Sequence, residues 1–261
     1  MPKSIPILAY HHVSPLVDDM INVSLPHFED QMALLNRGGF TALFISEAVD
    51  CLQGRKTWPS KPVVLTFDDG YRDNFQFAFP LLKKFGIKAT IFTVTGWMSE
   101  FRDPQNDEEI FTHRQCRELA EQGQAARIAL SWEEARLMEE SGLVEIESHG
   151  HSHNKELFLN GPGLRQELYL SQESFIRHLN RQSRHFCWPG GRFNESSLKI
   201  AGGLGFISTC TTERGINIPG HDPMRLKRVT AKDDQAAWLK KTLLIFSSPF
   251  LGGLYAKIKP K

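Results

Sequence analysis

Short apolar runs rich in β-branched and aromatic residues recur along the chain, each followed by a segment with helical spacing. The runs Ile5–Tyr10, Phe40–Phe44, Pro62–Phe67, Ile87–Val94, Leu143–Ser148, His185–Trp188 and Phe206–Thr211 are predicted strands. Between them, Phe28–Asn36 is apolar at helical spacing and stops at Gly38–Gly39. Ser46 is placed to cap Glu47–Leu52, and Phe77–Phe85 ends at Gly86, a good helix terminator. Ser131-Trp-Glu-Glu134 is a capping box opening a helix that closes at Gly142. Leu164–Leu179 is the longest helical pattern, with Leu164, Leu168, Phe175 and Leu179 on roughly one face. Strands alternating with helices predict a parallel sheet, and about seven such units predict an α/β fold of the distorted (β/α) barrel kind. In that architecture catalytic groups gather at the C-terminal ends of strands.

Two segments depart from the pattern. From about residue 98 to 130 the chain is polar, with an acidic stretch (Asp107, Glu108, Glu109) and a helical piece near Arg114–Glu121. This reads as an insertion in a catalytic barrel spanning 1–235. Residues 236–261 form a basic and apolar tail, in which Lys240, Lys241, Lys257, Lys259 and Lys261 flank Leu243–Ala256 with no acidic residue. The tail reads either as a last helix covering the barrel or as a segment lying in a membrane interface, its lysines at anionic headgroups.

Composition narrows the class. The 261 residues are 41% hydrophobic and 23% charged, which excludes a disordered chain and a membrane bundle. Thirty-one basic against 30 acidic residues leave a net charge of +1, so nothing favours a nucleic-acid partner. Cys51, Cys116, Cys187 and Cys210 lie far apart with no CxxC pair, predicting neither a disulfide framework nor a cysteine zinc site. No apolar run reaches 18 residues, and the opening MPKSIPILAYHHV lacks a signal-peptide pattern. The expected location is therefore cytoplasmic, peripheral at the inner membrane face if the tail docks there.

Four clusters carry chemistry. The apolar strand Val63–Phe67 runs into Asp68-Asp69-Gly70. Adjacent carboxylates at a strand end need cationic neutralisation, and a divalent metal lets one ligate while its neighbour accepts a proton. A bare Asp-Asp-Gly is also an ordinary turn. A second strand delivers His149-Gly-His151-Ser-His153, where His149 and His153 could face one ion if the backbone turns helically. Alone, this too reads as a solvated histidine-rich loop. Tyr10-His11-His12 ends the first strand and offers a general acid. Trp188-Pro189-Gly190-Gly191 is a tight turn in which a backbone N–H of Gly190 is available to an oxyanion.

Thr66-Phe-Asp-Asp-Gly70, His149-x3-His153 and Trp188-Pro-Gly-Gly191 resemble, in order and spacing, the leading motifs of the polysaccharide deacetylases, the NodB-homology group or carbohydrate esterase family 4. The similarity spans roughly Ile5 to Val229. The resemblance implies a metal-dependent hydrolase removing acyl groups from N-acylated amino sugars. Asp69, His149 and His153 would hold one divalent ion, zinc by default with cobalt, nickel or iron as alternatives, and Asp68 would be the base. The family's arginine before Pro-Tyr is replaced by Cys187, so Arg192 or Arg228 is the candidate partner that tunes the base. Leu-Ala-Tyr-His11 resembles the poly-β-1,6-N-acetylglucosamine deacetylase branch, which makes His11 the acid and His221 the fallback. With Trp188 and Pro189, Gly190 would form the oxyanion and substrate wall. The implied partner is an N-acetylated amino sugar of the bacterial cell envelope, polymeric or undecaprenyl-phosphate-linked. A non-sugar amide hydrolase and a non-catalytic carbohydrate-binding relative are the competing readings.

Overall fold

The computed structural model describes residues 4–258 apart from 18, 20, 104–108 and 160, so Asp107, Glu108, Lys259 and Lys261 lie outside the described residues. In chain order the strands are β1 (Ile7–Tyr10), β2 (His12–Ser14), β3 (Asn22–Ser24), β4 (Thr41–Leu43), β5 (Pro62–Phe67), β6 (Ala89–Thr93), β7 (Val144–Ser148), β8 (His185–Cys187), β9 (Ser208–Cys210) and β10 (Val229–Thr230). All but β2 and β3 join one parallel sheet in the order β10-β1-β5-β6-β7-β8-β9, with β4 beside the start of β5. The edges of the sheet approach each other at one seam. Leu226, just before β10, bridges Cys210 of β9, while Val229 pairs with Leu8 of β1. This is the distorted barrel that the alternation of strands and helices predicts.

The helices are α1 (Leu25–Arg37), α2 (Ile45–Leu52), α3 (Phe79–Phe85), α4 (His113–Glu121), α5 (Trp132–Glu140), α6 (Gly161–Leu179), α7 (Glu195–Gly203), α8 (Ala236–Phe246) and α9 (Pro249–Ile258). Strand residues alternate between two apolar environments, as a pleat requires. Leu8, Tyr10, Leu65 and Phe67 face outward and pack with Phe28 and Met32 of α1, Leu82 of α3, and Leu239 and Leu243 of α8. Ile7, Val64, Cys187 and Cys210 face inward and pack on Ile45, Val49 and Leu52 of α2, which fills the N-terminal end of the barrel. Continuing the inward rows toward the C-terminal ends leads from Ala9 to His11, from Thr66 to Asp68 and from Glu147 to His149. The pleat thereby aims those three side chains at one place.

Some elements differ from the sequence expectation. Helix α2 begins at Ile45 with Phe44 at its cap, because the Phe44 N–H donates to the Glu47 carboxylate at 3.1 Å; Ser46 lies inside the helix. A π-helical turn, Asn74–Ala78, precedes α3, which ends at left-handed Gly86. The pair β2–β3, strand β10 and helix α7 escape the pattern, the strands because two or three residues establish no period. The tail splits in two. Leu239, Leu243 and Phe246 of α8 are part of the main core, whereas α9 leaves Phe250, Leu254 and Ile258 exposed. All four cysteines are free and buried. Among the described residues, no helix is long and apolar enough to cross a membrane.

Candidate active site

Adjacent residues on a strand point to opposite sides, so Asp68 and Asp69 cannot face one cleft without a break in the backbone. The break is at Asp69, which adopts φ +70°, followed by Gly70 at φ +67°. Only glycine fits at position 70, since a Cβ there would stand 2.8 Å from the Thr93 side chain and 3.0 Å from its backbone. The left-handed turn brings both carboxylates to one cleft, where each meets its own partners. Strain held at a non-glycine residue is a recurrent mark of functional sites.

Asp68 stays in the inward row and meets Arg228. The guanidinium donates Nη1–H to Oδ1 at 2.6 Å and Nη2–H to Oδ2 at 2.7 Å, with both residues buried. Arg228 is itself fixed by donating to the Thr211 carbonyl (2.9 Å) and to Thr66 Oγ1 (3.1 Å). Burial works to raise the Asp68 carboxyl, but the charge and hydrogen bonds of Arg228 prevail and hold it down at about 2. The other arginine considered from the sequence, Arg192, is half-exposed and bonds Glu156 at 2.9 Å, so it does not reach Asp68.

Asp69 meets the histidines. His149 Nε2 and His153 Nε2 each stand 3.2 Å from Asp69 Oδ1. The convergence is not helical as the spacing suggested: residues 149–153 form a loop, turned by Gly150 at φ +92° and His153 at φ +59°. The loop is clamped from below by Glu167 of α6, a buried carboxylate that accepts from the His151 N–H (2.7 Å), the Ser152 N–H (2.6 Å) and the Ser152 hydroxyl (2.9 Å). His151 turns away to bond Thr95 Oγ1 at 3.0 Å. Burial raises the Asp69 carboxyl, but hydrogen bonds and charge from His149 and His153 hold it well below the usual carboxylate range.

The donor atoms of Asp69, His149 and His153 lie within 4.8 Å of one another. Two ligands each 2.0–2.1 Å from a tetrahedral ion are separated by roughly 3.3 Å, so this set of two imidazoles and a carboxylate fits a divalent metal. Another grouping, Glu145, Glu147 and His185, lies toward the opposite end of β7. There Glu147 accepts from Ser183, from the Arg184 and His185 N–H groups (2.9 and 3.0 Å) and from Arg181 (3.3 Å). That carboxylate is already satisfied as a structural buttress.

The site opens into a cleft of about 800 Å³ lined by residues including His11, Tyr71, Trp97, His113 and Gly190. His11 Nε2 stands 3.9 Å from Asp68 Oδ2, and burial lowers its pKa against the pull of Asp68 and Asp69. Of the three residues of the Trp188-Pro-Gly turn, only Gly190 lines the cleft. Trp188 is buried, stacks on Phe193 and donates to Thr209 Oγ1 (2.8 Å), while Pro189 is buried beside it. Among the described residues the Gly190 N–H has no hydrogen-bond partner. His221 bonds the Arg225 carbonyl at 3.0 Å and does not line the cleft, so the structure does not bring it to the site. Sequence reasoning missed Glu167, Trp97 and His113. Only the insertion's helical pattern hinted at the last, because long-range packing places all three.

Residues 55–208 match the family described as polysaccharide deacetylase. The Bacillus subtilis protein YxkH, whose name places it with the polysaccharide deacetylases, is 34% identical over 217 residues, covering 82% of this chain and 66% of that protein. The poly-β-1,6-N-acetyl-D-glucosamine N-deacetylase of Escherichia coli is 24% identical over 245 residues, covering 80% of this chain and 34% of that enzyme. This chain thus spans less than two thirds of either relative. The Streptococcus pyogenes deacetylase PplD, solved in complex with acetate, shares the fold with a TM-score of 0.77 at 24% identity, covering 93% of this chain and 99% of that one.

The Glu167 clamp generates a prediction. Glu167→Ala should weaken divalent-metal affinity by about 10- to 100-fold, as loss of outer-shell support does, with the far-ultraviolet circular dichroism unchanged. Competition with a coloured chelator measures this, and wild-type affinity in the variant would contradict the clamp.

Proposed function

The chain belongs to the polysaccharide deacetylase family, and on that premise we propose that it hydrolyses the N-acetyl group of an amino sugar in the bacterial cell envelope. The observation that carries this reading is the division of two adjacent carboxylates, Asp69 joined to His149 and His153 and Asp68 joined to Arg228. Asp69, His149 and His153 would hold one divalent ion, zinc by default, which when bound polarises a carbonyl and acidifies water.

The remaining chemistry falls to the chain's own side chains. Asp68 is ionised at neutral pH and accepts the proton of the attacking water. The Gly190 N–H donates to the oxygen that gains charge as the amide carbon becomes tetrahedral. Burial favours a neutral His11, so it takes up a proton only once one has been released beside it. Standing 3.9 Å from Asp68, it is placed to pass that proton to the departing amine. One water is consumed; acetate and a free amino sugar leave.

The finer substrate is an N-acetylhexosamine joined to a lipid phosphate such as undecaprenyl phosphate, at the inner face of the cytoplasmic membrane. What supports this is the surface of α8 and α9. Leu244, Phe250, Leu254 and Ile258 are exposed beside Lys240, Lys241 and Lys257, with no acidic residue between Ala236 and Ile258. Apolar side chains flanked by cations suit an anionic leaflet, each lysine near the surface contributing about 1 kcal/mol.

Acetate release from N-acetylglucosamine oligomers, with 4-nitroacetanilide in parallel, tests the reaction. Release from the sugar, abolished by a chelator and restored by zinc, is expected. Hydrolysis of the anilide alone would indicate a non-sugar amidase, and no release by metal-loaded protein would indicate a binding relative. For the membrane, wild type should sediment with phosphatidylglycerol vesicles at low salt while Phe250→Glu/Leu254→Glu stays in the supernatant. Equal behaviour of the two would remove the docking surface.

A further inference from the structure

The histidine that opens β2 has no part in the reaction outlined above. The pleat that turns His11 into the barrel turns His12 out of it, yet His12 is only 2% exposed. Its ring stacks on Tyr71, with centroids 3.9 Å apart and planes 20° apart. Its Nδ1 stands 2.6 Å from Asp73 Oδ2, and its Nε2 stands 3.3 Å from His113 Nδ1. Asp73 is held in turn by Asn74, whose Nδ2 donates to Asp73 Oδ1 (2.7 Å) and to the His11 carbonyl (2.8 Å). His113 opens α4, in the insertion, and its backbone N–H donates to Asp19 at 2.7 Å. The chain Asp73–His12–His113 therefore leads from a carboxylate behind the site to the wall of the cleft.

We propose that His113 is a substrate-binding residue, oriented by Asp73 through His12, that presents its Nε2–H to a hydroxyl or acyl oxygen of the sugar. This rests on the reading of the cleft as a sugar-amide site. The orientation follows from hydrogen-bond arithmetic. A carboxylate only accepts, so His12 Nδ1 carries a proton. When His12 is protonated it also donates from Nε2, which makes His113 Nδ1 the acceptor and leaves the His113 proton on Nε2. Burial opposes charge on His12, but the carboxylate of Asp73 and its hydrogen bond prevail and raise its pKa. At His113, burial and then the charge of His12 push the pKa down to about 4, so the ring stays neutral with one donor. His12 and Asp73 are positioning residues; His113 is the one that touches the ligand.

The test uses the metal-loaded full chain with the N-acetylglucosamine trimer as probe. His113→Ala should raise KM for the trimer about tenfold while kcat stays within about twofold, the signature of a lost uniform-binding hydrogen bond. His113→Gln, which retains an N–H donor, should recover most of the loss. Asp73→Asn should raise KM for the trimer similarly, with kcat again within about twofold. Unaltered KM in both His113→Ala and Asp73→Asn, or a fall in kcat in place of a rise in KM, would overturn the proposal.

Long-range 1H–15N spectra of the histidine rings separate this inference from the one beneath it. A protonated His113 Nε2 that shifts on adding trimer, in protein that releases no acetate, would sink the hydrolysis and leave the contact. Acetate release with His113 signals indifferent to trimer would sink the contact and leave the hydrolysis. Neither release nor shift would overturn both.

Discussion

Asp68 and Arg228 meet inside the barrel through two hydrogen bonds of 2.6 and 2.7 Å, one residue following β5 and the other preceding β10 at the seam where the sheet edges approach each other. Breaking such a buried pair by removing one partner costs about 3–5 kcal/mol, because the survivor keeps its charge without water. The pair thus ties the seam to the centre of the sheet. It also fixes the chemical character of Asp68: a carboxylate held at about 2 is ionised at neutral pH and weakly basic. A carboxylate of this kind takes a proton only from a strongly acidified donor, which suits the base proposed for it beside the candidate metal site.

The second constraint is geometric. A pleated strand sends neighbours in opposite directions, so two adjacent carboxylates serve one cleft only if the backbone breaks between their tasks. Asp69 supplies the break with its left-handed φ, and Gly70 permits it against Thr93. The same device recurs at His153, which returns to Asp69 and His149 through another positive φ while Glu167 holds the loop from beneath. Two strained residues at one cluster are sustained by buried hydrogen bonds around them.

Much of this is legible in the sequence, and what is not has a physical reason. The strands that carry Asp68, His149 and His11 are written in apolar runs long enough to show a period, and inward alternation then aims the side chains. The Asp-Asp-Gly and His-x3-His spacings carry the donor chemistry. The choice between Arg192 and Arg228 is not legible. Arg192 is nearer the turn in sequence, but the partner is decided by where the barrel closes, and β10 is too short to announce itself. Glu167 and His113 act through helices distant in sequence, Glu167 buried beneath a loop and His113 at the first turn of an inserted helix. Trp188 reads as a cleft residue from its place beside Gly190, yet packs into the core because strand alternation turns it outward.

The claim that the adjacent carboxylates divide the work is tested most directly by replacing each in turn and measuring bound metal and acetate release on the same samples. The account predicts that Asp68→Asn keeps one equivalent of ion and loses release by about 10²- to 10⁴-fold, the range for a missing general base, whereas Asp69→Asn loses the ion and the activity together. Loss of metal from Asp68→Asn with retention in Asp69→Asn, or full activity in either, would contradict it.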